Sequence, residues 1–401
     1  MNKLLIIFAL VLSSTGFAAN HRDSKDWKEK PAEKFSDAET NFKATMQKLM
    51  EKYVDKSLTQ DELYRAAVAG MLASLNQGEE DWNALLSPSD MKEMQIDMSG
   101  KVTGIGIEMK FIEETGYGQI LRLIPGSVSE KAGLKIDDQI LSVDGKKFKN
   151  KKFRDLVYAV RGKAGESVVL KVLREDKIMS FNVKREIVPW TPVELEKVNS
   201  TTALLSIRFF NEETPRLVEQ KINEINAGKY KKLILDLRDN SGGGFDQAVK
   251  VTELFLPVGL VVASTKNRDG KVEQFKSTRS LLDPNVQIAI LTNKDTFCGA
   301  ELFTAALKEN LKVKIIGETT FGKWNAQSVE NLPNKYAIKY TVKEFLSPQG
   351  NSFQGKGIKP DIEVSLPQGV ESHVLRLKYG MKDRLNSDSQ LKAAVELVQS
   401  I

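Results

Sequence analysis

From Pro189 onward the chain alternates between two textures. Strand-like apolar runs at 203–208, 232–237, 287–291 and 313–316 are separated by helical stretches at 213–227, 245–254 and 299–309. That alternation restricts the fold to a sheet covered by helices, an α/β core. The core is expected over 189–368, followed by a C-terminal helical tail over 369–401 whose last helix runs from Ser389 to Val398.

The upstream half reads differently. From Phe35 to Met98 apolar residues recur at three and four, as in Leu63, Ala66, Ala67, Gly70 and Met71, which predicts helices over 35–98. Ser87-Pro-Ser-Asp reads as a helix cap. Between 99 and 188 short strands alternate with glycine turns, and Phe153–Val160 forms one amphipathic helix. This stretch has the size of a domain. The first 18 residues resemble a secretory signal: Lys3, an unbroken apolar run from Leu4 to Leu12, then small residues up to Ala18. A flexible linker is expected over 19–34. The apolar run is too short for a permanent membrane span, so export without stable membrane insertion is expected, into the periplasm or the medium.

Composition narrows the chemistry. With 41% hydrophobic and 28% charged residues, the chain reads as globular. Its net charge of +6 is spread over mixed segments, with no basic stripe interleaved with aromatics, so no nucleic-acid partner is expected. Cys298 is the only cysteine, which excludes an intramolecular disulfide. The two histidines, His21 and His373, lie far in sequence from any promising motif. A Ser-His-Asp triad, a zinc site of the His-Glu-x-x-His type and a Cys-His dyad are therefore not expected, and a general base must be Lys, Asp or Glu.

Three segments carry chemistry. Cys298 follows a strand and a polar turn and opens a helix, where the positive end of the helix dipole favours a thiolate and the first amides face an oxyanion. Lys323 ends Gly317-Glu-Thr-Thr-Phe-Gly-Lys, a near match to a phosphate-binding loop. The match fails because Trp324 replaces the magnesium-binding hydroxyl and no helix follows. A lysine can instead serve as base when burial lowers its pKa. The strand Leu233–Leu237 runs into Ser241-Gly-Gly-Gly244, glycines whose amides can converge on an anion.

In this order the segments resemble the C-terminal processing, or tail-specific, proteases, which use a Ser-Lys dyad. Asp236-Leu-Arg-Asp-Asn-Ser-Gly-Gly is similar to the family's Asp-Leu-Arg-Asn-Asn-Pro-Gly-Gly. Thr296-Phe-Cys-Gly-Ala-Glu301 falls on Ser-Ala-Ser-Ala-Ser-Glu, and Gly317–Lys323 on Gly-Glu-Pro-Thr-Phe-Gly-Lys. Ser347-Pro-Gln-Gly and Gly357-Ile-Lys-Pro-Asp361 resemble its closing motif. Gly104-Ile-Gly-Ile107 and Pro125–Leu134 resemble the PDZ domain that this family inserts before its core.

The resemblance implies a multidomain α/β fold: N-terminal helices, a β-rich PDZ domain over 99–188, and a peptidase core of the crotonase and Clp-protease type. It implies Cys298 at the nucleophile position, Lys323 as base and Gln327 as the residue orienting it. Oxyanion donors would be the amides of Gly299 and of Gly242 or Gly243. No metal or other cofactor is implied. Gly104, Ile105, Gly106 and Ile107, with Leu156, Val157 and Val160, would hold the tail of a substrate with a free apolar C-terminus. Departures cluster around the site: Cys298 for serine, Gly299 for alanine, Trp324-Asn325 for Gly-Thr, Ser241 for proline, and an acidic insertion after Leu75-Asn76. The expected function is peptide hydrolysis through an acyl intermediate on Cys298. The alternative is a catalytically inactive homologue that holds protein tails. The oligomeric state is left open.

Overall fold

The computed structural model describes residues 35–76, 82–188, 190–228 and 230–400. The expected signal and linker, with His21, lie outside the described residues, as does most of the acidic insertion. Among the described residues, no helix is long and apolar enough to cross a membrane. The chain divides into two compact units, one of residues 92–326 and 342–400 and one of residues 35–91 and 327–341.

The smaller unit holds the helices Phe35–Lys52 and Gln60–Ser74. Thr59 opens the second through a reciprocal cap: its hydroxyl accepts from the Glu62 amide, and the Glu62 carboxylate accepts from the Thr59 amide. A short strand, Ala84–Leu86, pairs antiparallel with residues 337–339.

In the larger unit, six strands order as Ile362–Glu363, Lys314–Gly317, Gln287–Thr292, Lys232–Asp236, Thr202–Ile207 and Val193–Lys197. All neighbours are parallel except the Val193–Lys197 edge strand, which is antiparallel. Strand alternation sends Leu205, Leu233, Leu235, Ile290 and Ile315 to one face, where helices Thr214–Ala227, Phe245–Glu253 and Gly299–Leu311 cover them. Leu204, Ile234, Ala289, Leu291 and Ile316 point to the other face. There Leu391, Ala394 and Val398 of the helix Ser389–Ser400 close the core. The C-terminal helix is thus the second layer of the sheet.

A buried ion network fastens that helix. Arg238 grips Asp236 through two nitrogens, at 2.9 and 2.8 Å, and reaches Asp388 at 2.9 Å and Gln390 at 3.1 Å. Burial alone would raise the Asp236 carboxyl, but the Arg238 guanidinium holds it below the usual carboxylate range. Its contribution to stability is therefore present above that range and is lost as pH falls through the depressed value. Asp388 also accepts from the Leu391 amide at 2.9 Å and so caps the last helix. Asp388→Ala is expected to destabilise the chain by about 3–5 kcal/mol, the cost of breaking a buried pair on one side. Urea denaturation measures this, and an unchanged midpoint would contradict it.

The β-rich domain is a five-stranded antiparallel sheet ordered Ile107–Ile112, Tyr117–Leu123, Gln139–Val143, Ser167–Arg174 and Lys177–Lys184. Ile120, Ile140, Leu156, Val168, Leu170 and Val172 form its core. Ile107–Ile112 is an edge strand within this sheet.

Candidate active site

Three loops leave the C-terminal ends of three neighbouring parallel strands, where ligands of open α/β sheets bind. They run from Leu237 to Gly244, from Asn293 to Cys298 and from Glu318 to Trp324. Hydrogen bonds sew them together. The Phe297 amide donates to Asn240 O at 3.0 Å, the Phe321 amide to Thr296 O at 3.0 Å, and Thr296 Oγ1 to Leu237 O at 2.8 Å.

Cys298 is half-buried and immediately precedes the helix Gly299–Leu311, with φ 57° and ψ −119°. This is a sparsely populated backbone region for a residue with a side chain, a cost on the order of 1–3 kcal/mol. A sharp turn between strand and helix is the setting in which hydrolases present a nucleophile.

The support for that turn is Glu301, one helical turn on. Its carboxylate is buried, yet every contact is a donor. Oε2 accepts from the Cys298 amide at 3.0 Å and from the Lys323 amide at 2.8 Å. Oε1 accepts from Thr320 Oγ1 at 2.5 Å and from the Gly322 amide at 2.8 Å. One oxygen therefore ties the main chains of Cys298 and Lys323 to a common point. Burial pushes the Glu301 carboxyl above its ordinary range, and the four donors offset part of that. Sequence reasoning did not single out Glu301. Its spacing of three from a helix-opening residue is the available signal, that of a capping carboxylate.

The glycine turn packs directly on Cys298. A Cβ built on Gly242 would sit 2.8 Å from Cys298 Cβ and 2.9 Å from the Gly299 nitrogen. At Gly243, φ is 135° and a Cβ would meet Phe210 O at 2.3 Å, so only glycine fits. The two amides differ. That of Gly242 donates to Asn240 Oδ1 at 2.8 Å, whereas among the described residues that of Gly243 has no acceptor. The Gly299 amide, first in its helix, is likewise uncommitted. Gln327 lies in the other unit, on the strand Asn325–Asn331, where its Nε2 donates to Thr341 Oγ1 at 3.2 Å. Trp324, where the resemblance has glycine, is buried against Phe353.

The second concave site is a cavity of about 160 Å³ beside the helix Phe153–Val160. Gly104, Ile105, Gly106, Ile107, Val157 and Val160 line it. Leu156 does not. It is fully buried in the domain core, and a Cβ on Gly118 would lie 2.7 Å from its Cδ2. Phe153, one helical turn from Val157, takes the groove position instead. Gly106 has φ 79° with Ser127 close behind it, a turn that a side chain would block. Among the described residues, the amides of Ile105 and Gly106 have no acceptor. His373 also differs from expectation. Although remote in sequence, it lines this cavity with Asp239 and Ser241. Burial pulls its pKa down to about 4, so the imidazole is neutral near pH 7.

An α/β sheet with this strained turn stands in one chain with an antiparallel domain that carries an edge groove. Residues 201–364 match the model of peptidase family S41 and residues 119–174 that of the PDZ domain. The chain thus resembles peptidase family S41 over residues 201–364. It is 31% identical over 321 residues to a "Probable CtpA-like serine protease" of Staphylococcus aureus, covering 80% of this chain and 64% of that protein. It is 32% identical over 310 residues to "Carboxy-terminal processing protease CtpA" of Bacillus subtilis, covering 77% and 65%. The chain thus spans just under two thirds of these relatives' length. The solved photosystem II D1 C-terminal processing protease shares the fold, with TM-score 0.52 and 23% identity over 85% of this chain and 97% of that one.

Proposed function

We propose that this chain is an exported peptidase, acting in the periplasm, that recognises proteins by their C-terminal tails and hydrolyses their peptide bonds through Cys298. The observation that carries this reading is the Glu301 oxygen shared by the amides of Cys298 and Lys323. An uncharged Lys323 amine takes the thiol proton, and Cys298 sulfur attacks the substrate carbonyl. The oxyanion is held by the amides of Gly299 and Gly243, the choice over Gly242 resting on its uncommitted N–H. Collapse expels the amine leaving group, which receives the proton from Lys323, and leaves a thioester. Water then releases the acid and restores the thiol.

The thiol itself reports on this assignment. Cys298 is expected to alkylate with iodoacetamide faster than free cysteine at pH 7, and more slowly in Lys323→Ala. An unchanged labelling rate would favour a tail-binding protein without catalysis.

Tail capture is assigned to the edge strand Ile107–Ile112 and the amides of Ile105 and Gly106, with an apolar last side chain beside Val157 and Val160. Amidating a substrate's C-terminus is expected to weaken binding about tenfold, by removing a charge-assisted hydrogen bond. Equal binding of acid and amide would contradict it.

A further inference from the structure

Two arginines from outside the PDZ domain also line its cavity. Arg208 follows the strand Thr202–Ile207, and Arg376 lies on the helix Ser372–Lys378. Their side chains are only 10% and 8% exposed. Arg208 Nε and Arg376 Nη1 are buried and have no hydrogen-bond partner among the described residues. Buried charged N–H groups left unpaired are rare, because each forfeits its hydration without replacement.

Neighbouring acids do not fill the gap. Glu194 lies 3.1 Å from both Arg122 and Arg208 and 4.0 Å from Arg376. Glu108 lies 3.9 Å from Arg122 and 3.6 Å from Arg208. Asp239 is engaged by Ser372 Oγ at 2.6 Å and Asn293 Nδ2 at 2.7 Å. Arg161, also on the cavity, is matched by Glu93 and Asp97 at 3.3 and 3.0 Å. Within 4.0 Å three guanidiniums therefore share two carboxylates, with Asp239 and Glu196 acting only from further away, which leaves room for a further anion.

The free amides of Ile105 and Gly106 form a separate donor set in the same cavity, suited to a terminal carboxylate. Two donor sets call for two anionic groups on one ligand. We infer that Arg208 and Arg376 form a subsite for an acidic side chain near the end of a bound protein tail, distinct from the loop that takes the terminal carboxylate. This rests on the tail-binding reading above and adds to it a preference for Asp or Glu among the last residues. The determinant belongs to the peptidase region, outside the PDZ domain.

The test uses the full chain with Cys298→Ala, so that peptides are held and not cut. Labelled peptides end in an apolar residue and carry Glu at one of the three preceding positions. Matched Gln peptides and C-terminal amides complete the set, and binding is read by fluorescence anisotropy. At one position or more, Glu is expected to bind about tenfold tighter than Gln, as for a charge-assisted pair. That advantage disappears in Arg376→Gln and Arg208→Gln and persists in part in Arg376→Lys, while the preference for acid over amide survives in all three. Circular dichroism checks that each variant folds. Should Arg376→Gln unfold, salt carries the test: the Glu advantage in the parent must fall between 50 and 500 mM NaCl, and an advantage indifferent to salt overturns the subsite. Equal binding of Glu and Gln peptides overturns it too. So does loss of the acid-over-amide preference in the arginine variants, which would assign the guanidiniums to the terminal carboxylate. If the parent binds acid and amide alike, the tail-binding reading falls and the subsite with it.

Discussion

Lys323→Ala is expected to lower the rate of cleavage of a denatured protein by about 10³-fold, the middle of the range for losing a positioned general base. The thiol of Cys298 needs an acceptor for its proton, and the leaving amine needs a donor. His373 lines the PDZ cavity, and burial that pulls its pKa down to about 4 makes it a poor proton acceptor. Glu301 is saturated by four donors and acts on main chain. Lys323 remains, with its backbone anchored to the carboxylate that also anchors Cys298. The loss must appear in kcat with little change in KM, since substrate binding is assigned elsewhere. A variant that cuts within a few-fold of the parent rate would remove Lys323 from the mechanism.

Glu301→Gln is expected to reduce kcat by about 10²-fold, the penalty for misplacing a reacting group by about an ångström. A carboxylate accepts at both oxygens, and all four of its partners are donors. An amide accepts at one end and donates at the other, so its NH2 would face either the amides of Cys298 and Lys323 or the Gly322 amide and the Thr320 hydroxyl, and at least one N–H loses its acceptor. The Cys298 turn at φ 57° then loses part of what holds it. Because the effect is exerted through position, Glu301→Asp, with a shorter reach, should not restore the rate. A structural fault alone would lower the thermal midpoint without altering the pH dependence. Loss of a titrating carboxylate must also change the acid limb of the pH–rate profile. Burial raises the Glu301 carboxyl, so the parent should begin to lose activity at a higher pH than an ordinary carboxylate would set. Unchanged kinetics in Glu301→Gln would show that the shared oxygen is dispensable.

The strands of the parallel sheet were legible because each is a short buried run between helical periods, as in Lys232–Asp236 and Gln287–Thr292. The strands Val261–Asn267, Val272–Lys276 and Asn325–Asn331 were not read. They carry many polar residues, and their pairing is decided by distant partners. The family motifs named Cys298, Lys323 and the glycine turn. Which glycine amide stays uncommitted depends on the Asn240 side chain, which no motif encodes. Leu156 was misplaced because neighbouring positions on a helix differ by about a quarter turn. Leu156 points to the core, while Phe153 and Val157 point to the groove. Glu301 was hidden for another reason: its spacing shows a cap, but the amides of Gly322 and Lys323 reach it only through the folded sheet. His373 reaches the PDZ cavity by the same long-range route.

Incubation of the purified chain with a denatured protein, read by mass spectrometry for new termini, probes the proposed chemistry at its source. New termini should accumulate with the parent, together with a covalent adduct on Cys298, and both should vanish in Cys298→Ala. An uncut substrate, or equal cutting by Cys298→Ala, would contradict the account.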